Sequence, residues 1–118
     1  MDDLLVEKVL TVVEHIPRGR VVSYGDIAGI VGIGPRQVGS VLSHHGVAVP
    51  WWRVTNHSGD HIAEIRARAH EHWAEEGILV KPNGLGCRIA TFRADLDQLA
   101  TAYEIALATT LRQAEEEP

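Results

Sequence analysis

Two short apolar-periodic segments meet at a break that few backbone paths can satisfy. Ser23, with Asp26 three residues on, is the pattern of a helix start. A serine oxygen and a carboxylate can each take up an amide that the first turn leaves unpaired. The helix so opened runs from Tyr24 to about Val31 and stops at Gly32. Gly34-Pro35 then opens another, since proline's fixed φ and missing N–H suit the first helical position. Val38, Val41 and Leu42 give this helix a buried stripe. Arg36, Gln37, Gly39, Ser40, Ser43 and His44 fall elsewhere on its surface. Two short helices joined by a tight glycine-containing turn are a helix-turn-helix pattern.

Around this pair the chain predicts further elements. Leu4, Leu5, Val9, Leu10, Val12, Val13 and Ile16 recur at helical spacing, with Asp2 or Asp3 as cap and Pro17 and Gly19 as the stop. Arg20-Val21-Val22 is an extended connector, and Val47-Ala48-Val49 reads as a short buried strand. Asn56-His57-Ser58-Gly59 is a turn, and residues 63–76 form a helix ending at Gly77. Ile78-Leu79-Val80 and Cys87 to Phe92 pair as a hairpin across Pro82-Asn83-Gly84. Asp95 caps a last helix to about Gln113, and the tail Glu115 to Pro118 is expected to fray. The expected fold is mainly α with a short β-hairpin, a winged helix-turn-helix in a single domain over 1–118. Its core spans about 1–92, with an extra C-terminal helix over about 95–113.

The chain has 118 residues, room for one domain. No apolar run approaches the roughly 20 residues that cross a bilayer, and the acidic, periodic start does not look like a secretion signal. Cys87 is a lone cysteine, so no internal disulfide forms, and no cysteine pair supports a zinc site. A soluble, reducing, cytoplasmic setting is expected. Lys and Arg total 11 against 16 Asp and Glu, a net charge of −5 that argues against a general nucleic-acid coat. The charge is uneven. Residues 15–70 hold Arg18, Arg20, Arg36, Arg53, Arg66 and Arg68 against three acids. This is either a small basic face on an acidic molecule or chance clustering.

Three blocks carry a resemblance: Ile16 to Ala28 (IPRGRVVSYGDIA), Arg36-Gln37-Val38-Gly39, and Pro50-Trp51-Trp52-Arg53-Val54. In order and spacing they resemble the DNA-binding half of O6-alkylguanine-DNA alkyltransferases, with a slightly short connection between the second and third. They look most like the alkyltransferase-like proteins, relatives without the reactive cysteine. Glu75-Glu76-Gly77-Ile78 is also similar to the family's end. The helix from Asp95 onward is outside the resemblance. In the alkyltransferases the third block reads Pro-Cys-His-Arg, and the cysteine accepts the alkyl group while the histidine helps generate its thiolate. Here Trp51 stands at the cysteine position and Trp52 at the histidine position. An indole offers an N–H donor and no usable nucleophile, so the resemblance implies no catalytic residue, no metal and no cofactor.

What the resemblance does imply is capture of a modified base flipped out of the duplex. It places Arg36 as the finger that fills the vacated stack and Tyr24 as the group that pushes the neighbouring phosphate. Ser23, Tyr24, Arg36, Gln37, Gly39 and Ser40 form the expected DNA contacts. Gly39 and Ser40 are small enough for a helix in the narrow minor groove, and the Ser23 amide is a candidate phosphate ligand. Tyr24, Trp51, Trp52, Arg53 and Val54 form the expected lesion pocket. Arg53 either touches the flipped base or makes a structural ion pair. The implied partners are double-stranded DNA containing O6-alkylguanine and nucleotide excision repair proteins, bound by a monomer with no membrane role. Taken without the flanking blocks, Trp51 and Trp52 read first as core rings, one on each side of a strand. Two other functions fit the elements: a winged-helix transcriptional regulator, and a protein-interaction module that has lost DNA binding.

Overall fold

The computed structural model describes residues 2–116. Helix α1 (Asp3–Glu14) opens where the Asp2 carboxylate accepts from the Leu4 amide. It closes before Pro17, and Gly19 turns the chain at a φ of 82°. The connector after it is more than a link. Val22–Ser23 is a strand, β1, that pairs in parallel with β2 (Val54–Thr55), Val22 opposite Val54. Just before it, Val21 bonds on both sides with the chain at 92–94: its N–H donates to the Phe92 carbonyl and its carbonyl accepts from Ala94.

Helix α2 (Tyr24–Val31) starts with the expected reciprocal cap. The Ser23 hydroxyl accepts from the Asp26 amide, and an Asp26 carboxylate oxygen accepts from the Ser23 amide. Gly32 ends it in the left-handed conformation. Helix α3 (Pro35–His45) follows, with the Gln37 side-chain oxygen accepting from the Gly34 amide at its start. Val9, Val12 and Val13 of α1, Ile27 and Ala28 of α2, and Val38 and Val41 of α3 close over Val22 and Val54 in the main core. Helix α4 (Ala63–Glu76) buries Ala69 and Trp73 and ends at Gly77. Trp73 joins Val21, Ile78 and Cys87 in a second core.

The expected mainly helical, single-domain architecture is found, with three differences in detail. The segment 47–49 is no strand. Gly46–Ala48 is one turn of 3-10 helix, and Val47 is 93% exposed. The expected hairpin is reduced to a single antiparallel bridge, Val80 with Cys87. Its second arm is instead the short helix α5 (Ile89–Phe92). Gly86 explains the change. A Cβ there would run into the Gly59 carbonyl, and the Cys87 amide donates to that same oxygen. The chain is thus drawn against the 56–60 turn rather than along its own partner arm. Helix α6 (Leu96–Glu116) begins with Asp95 accepting from the Gln98 amide. It lays Leu99 and Tyr103 across α1 and continues past Gln113 to Glu116. Glu115 and Glu116, expected to fray, are helical, while Glu117 and Pro118 lie outside the described residues. No helix among the described residues is long and apolar enough to cross a membrane.

Candidate nucleic-acid interface

Beside α3 lies a cavity of about 460 Å³. Its walls come from three parts of the chain. Tyr24 enters from the start of α2, and Gly39, Leu42, Ser43 and Gly46 from one flank of α3. Trp51 closes the back, and Ile62, Ile65 and Arg68 supply the far side from α4 and the residue before it. The volume is in the range that holds a small organic group, and the lining is largely apolar.

Trp51 is held rigidly in that wall. Trp52, His61 and His72 each meet its ring nearly edge-on, at centroid distances of 5.8, 6.2 and 6.0 Å and interplanar angles of 81–85°. Edge-to-face packing suits the aromatic quadrupoles and fixes ring orientation. The Arg68 guanidinium lies 5.7 Å from the Trp51 ring centroid, a cation–π contact at the cavity mouth.

Trp52, Arg53 and Val54, expected in the same pocket, stand behind this wall and line no part of the cavity. Trp52 stacks on His72, with centroids 3.6 Å apart and planes within 5°. Its N–H donates to Glu76. Arg53 makes the structural ion pair. Its Nε and Nη2 grip the two Glu76 oxygens at 2.9 and 3.0 Å, and Nη1 donates to the Ile16 carbonyl. Val54 is fully buried in β2. Trp51–Arg53 is one turn of 3-10 helix rather than strand, so its three side chains point in different directions about the turn, and Trp51 alone of this block lines the cavity.

The expected DNA contacts divide likewise. Ser23 is 5% exposed, and both its hydroxyl and its amide are spent on the α2 cap. The amide that was to hold a phosphate is therefore engaged. Tyr24 is half-buried on the cavity edge, where burial raises the pKa of its hydroxyl. Arg36 and Gln37 are exposed, and with Ser40, Asp2 and Leu5 they border an open groove on the other flank of α3. Gly39 faces the cavity, and nothing within 4 Å would meet a Cβ there.

The arginine-rich segment does not form one basic face. Arg18 and Arg20 donate to the Glu75 and Thr91 carbonyls, Arg53 is paired with Glu76, and Arg66 donates to the His61 carbonyl. Arg36 and Arg68 remain beside α3 and its cavity. Ile62, Ile65 and Arg68 escaped the sequence reading, although their three-residue spacing marks one face at the start of α4. His61 and His72 were missed as supports because nothing local ties them to Trp51.

Cys87 belongs to the second core and not to the cavity. It is fully buried, and burial pushes its thiol pKa up to about 11. Thiolate chemistry is closed to it at neutral pH.

The sequence model of the 6-O-methylguanine DNA methyltransferase DNA-binding domain matches residues 5–78. The chain belongs to this family, among its alkyltransferase-like members. It is 36% identical over 92 residues to Alkyltransferase-like protein 1 of Schizosaccharomyces pombe, covering 71% of this chain and 85% of that one. It is 34% identical over 89 residues to the DNA base-flipping protein of Escherichia coli K12, covering 70% and 69%. The fold is similar to the crystal structure of S. pombe Atl1 in complex with damaged DNA containing O6-carboxymethylguanine. There the TM-score is 0.70 at 31% identity, over 80% of this chain and 98% of that one. A second S. pombe structure, of ATL in complex with DNA, gives a TM-score of 0.69. Helix α6 lies beyond the matched family domain.

Proposed function

We propose that this protein binds duplex DNA carrying an O6-alkylguanine, flips the modified nucleotide into the cavity beside α3, and holds it there without removing the alkyl group. The observation that carries this reading is the cavity itself. An apolar chamber backed by the fixed indole of Trp51 opens on the flank of a helix whose Gly39 has no packing neighbour inside the fold.

Flipping costs a few kcal/mol of stacking, so something must replace the base. Arg36 is exposed on the other flank of α3, and its planar guanidinium is suited to enter the stack. Tyr24, half-buried on the cavity lining, takes the role of pressing on the neighbouring phosphate in this reading. The aromatic face of Trp51 then receives the extruded base by stacking and apolar contact. No group on the lining is a nucleophile activated for alkyl transfer. The cysteine position is Trp51 and the histidine position is Trp52, whose only polar atom is a donor engaged by Glu76. The relatives named for base flipping and the Atl1 complexes with DNA support the same reading. A lesion that is bound but not repaired has to be handed on. We assign that step to nucleotide excision repair proteins recruited to a monomer on DNA, in the cytoplasm.

Titration of tryptophan fluorescence with duplexes containing guanine, O6-methylguanine or a bulkier O6 adduct, at one salt concentration, tests the reading. Tighter binding and altered emission are expected for the modified duplexes. Equal affinity for all three overturns it.

A further inference from the structure

One side chain on the ridge of α3, His44, has no part in lesion capture as described. Arg36, Ser40 and His44 are spaced by four residues, so they lie one above another on one side of the helix. All three are open to solvent at least in part, and Arg36 and Ser40 border the outer groove rather than the lesion cavity. His44 Nδ1 lies 2.8 Å from the Ser40 carbonyl oxygen. A carbonyl oxygen only accepts, so that nitrogen carries the proton. In the neutral ring Nε2 is then bare, an acceptor at the tip of an exposed side chain.

A bare acceptor gains nothing from a phosphate, which also only accepts. In the minor groove a single base-edge group donates: the N2 amino group of guanine. A·T pairs present acceptors alone. We propose that His44 reads a G·C pair a few base steps from the lesion by accepting a hydrogen bond from guanine N2. It thereby sets a flanking-sequence preference that the lesion cavity does not supply. This rests on the reading that α3 lies in the minor groove with Arg36 at the lesion. The eight helical rises from Arg36 to His44 span about 12 Å. That is on the order of three to four base steps at about 3.4 Å each. Ser40, between them, is small enough to leave the ridge close to the groove floor.

The test uses the full chain and O6-methylguanine duplexes in which each flanking guanine is replaced in turn by inosine. Inosine still pairs with cytosine but lacks the N2 amino group. One replacement is expected to weaken wild-type binding about fivefold. His44→Ala should lose that sensitivity while still preferring O6-methylguanine to guanine. His44→Gln, whose amide oxygen restores an acceptor, should keep part of it. Wild-type protein indifferent to inosine at every position overturns the proposal, as does a His44→Ala variant as sensitive as wild type. A variant weakened equally on every sequence, with a shallower salt dependence, places His44 on phosphate and overturns it too. Failure of the underlying reading looks different: the unsubstituted lesion duplex then binds no better than its guanine counterpart.

Discussion

The indole N–H of Trp52 donates to a carboxylate oxygen of Glu76 at 2.6 Å, where the Glu76 side chain is 3% exposed. The same carboxylate accepts from Arg53 Nε and Nη2 and from the Gly19 amide. One buried side chain thus ties the end of α4 to the turn after α1 and to the segment behind the cavity. Desolvation alone would raise the Glu76 pKa, but these donors outweigh it and hold it below the usual value. Glu76→Ala leaves the Arg53 charge without a partner. It is expected to cost about 3 to 5 kcal/mol of stability, read by urea unfolding. Unchanged stability would show that the ion pair is dispensable.

His61 makes the fold acid-sensitive in a defined window. It is 3% exposed, and burial lowers its pKa from 6.5 to about 4, helped by the nearby positive charge of His70 and Arg66. The unfolded chain takes up a proton on this residue between pH 6.5 and 4, whereas the folded chain does so only near the bottom of that range. Its contribution is full above the unfolded value and is lost as pH falls through the window. The loss amounts to about 3 kcal/mol by the lower end. His61→Phe should flatten the acid limb of the stability profile over that interval. An unaltered limb would assign the effect to other groups.

Much of this was legible in the sequence, for a local reason. The caps at Asp2, Ser23 and Asp95 and the stops at Gly32 and Gly77 act within a few residues, and all were read from spacing. The parallel pairing of Val22 with Val54 joins residues 32 apart in the chain, and no short-range pattern reports it. The false hairpin has the same origin. Its turn residues are real, but Gly86 and Cys87 answer to the distant Gly59 carbonyl rather than to each other's arms. At the candidate site, residue type and block order singled out Tyr24 and Trp51, which line the cavity, and Arg36, which borders the groove on the other flank of α3. The inward turn of Ser23 and the Glu76 anchor of Arg53 depend on which way a short segment faces, which the sequence leaves open.

Gly39 separates stability from function. Glycine inside a helix costs about 1 kcal/mol relative to alanine, and no atom within 4 Å would oppose a methyl group there. Nothing in the fold requires it. Gly39→Ala should therefore raise stability by up to about 1 kcal/mol and weaken DNA binding, because the methyl group keeps α3 from the groove floor. A more stable variant with undiminished DNA affinity would remove Gly39 from the interface.

Arg36 offers the converse separation. It is exposed at the start of α3 and appears in none of the ion pairs among the described residues, so Arg36→Ala should leave the unfolding midpoint in place. Lesion affinity should fall about tenfold or more, since the gap left by a flipped base costs a few kcal/mol when unfilled. Guanine-duplex affinity should fall less. Equal losses on both duplexes would assign Arg36 to phosphate contact alone.

Returning a thiol to the cavity wall should not restore repair. Trp51→Cys places a sulfur at the position that the block resemblance matches to the alkyltransferase cysteine, but a thiol near its ordinary pKa is mostly protonated at neutral pH, and the thiolate is the nucleophile. Its neighbour Trp52 has no lone pair to take the proton, and its N–H is committed to Glu76. The centroids of His61 and His72 lie 6.2 and 6.0 Å from that of the Trp51 ring, and the substitution removes the ring they pack against. Incubation of Trp51→Cys with an O6-methylguanine duplex, followed by intact-mass measurement, should show no added methyl group. Trp51→Cys combined with Trp52→His supplies an imidazole next to the sulfur and within reach of Glu76, and is the variant expected to show transfer if either does. Methylation of the single variant would mean that one of the histidines packed on Trp51 moves to activate the thiol, and that the missing activation attributed to Trp52 is not what keeps the site inert.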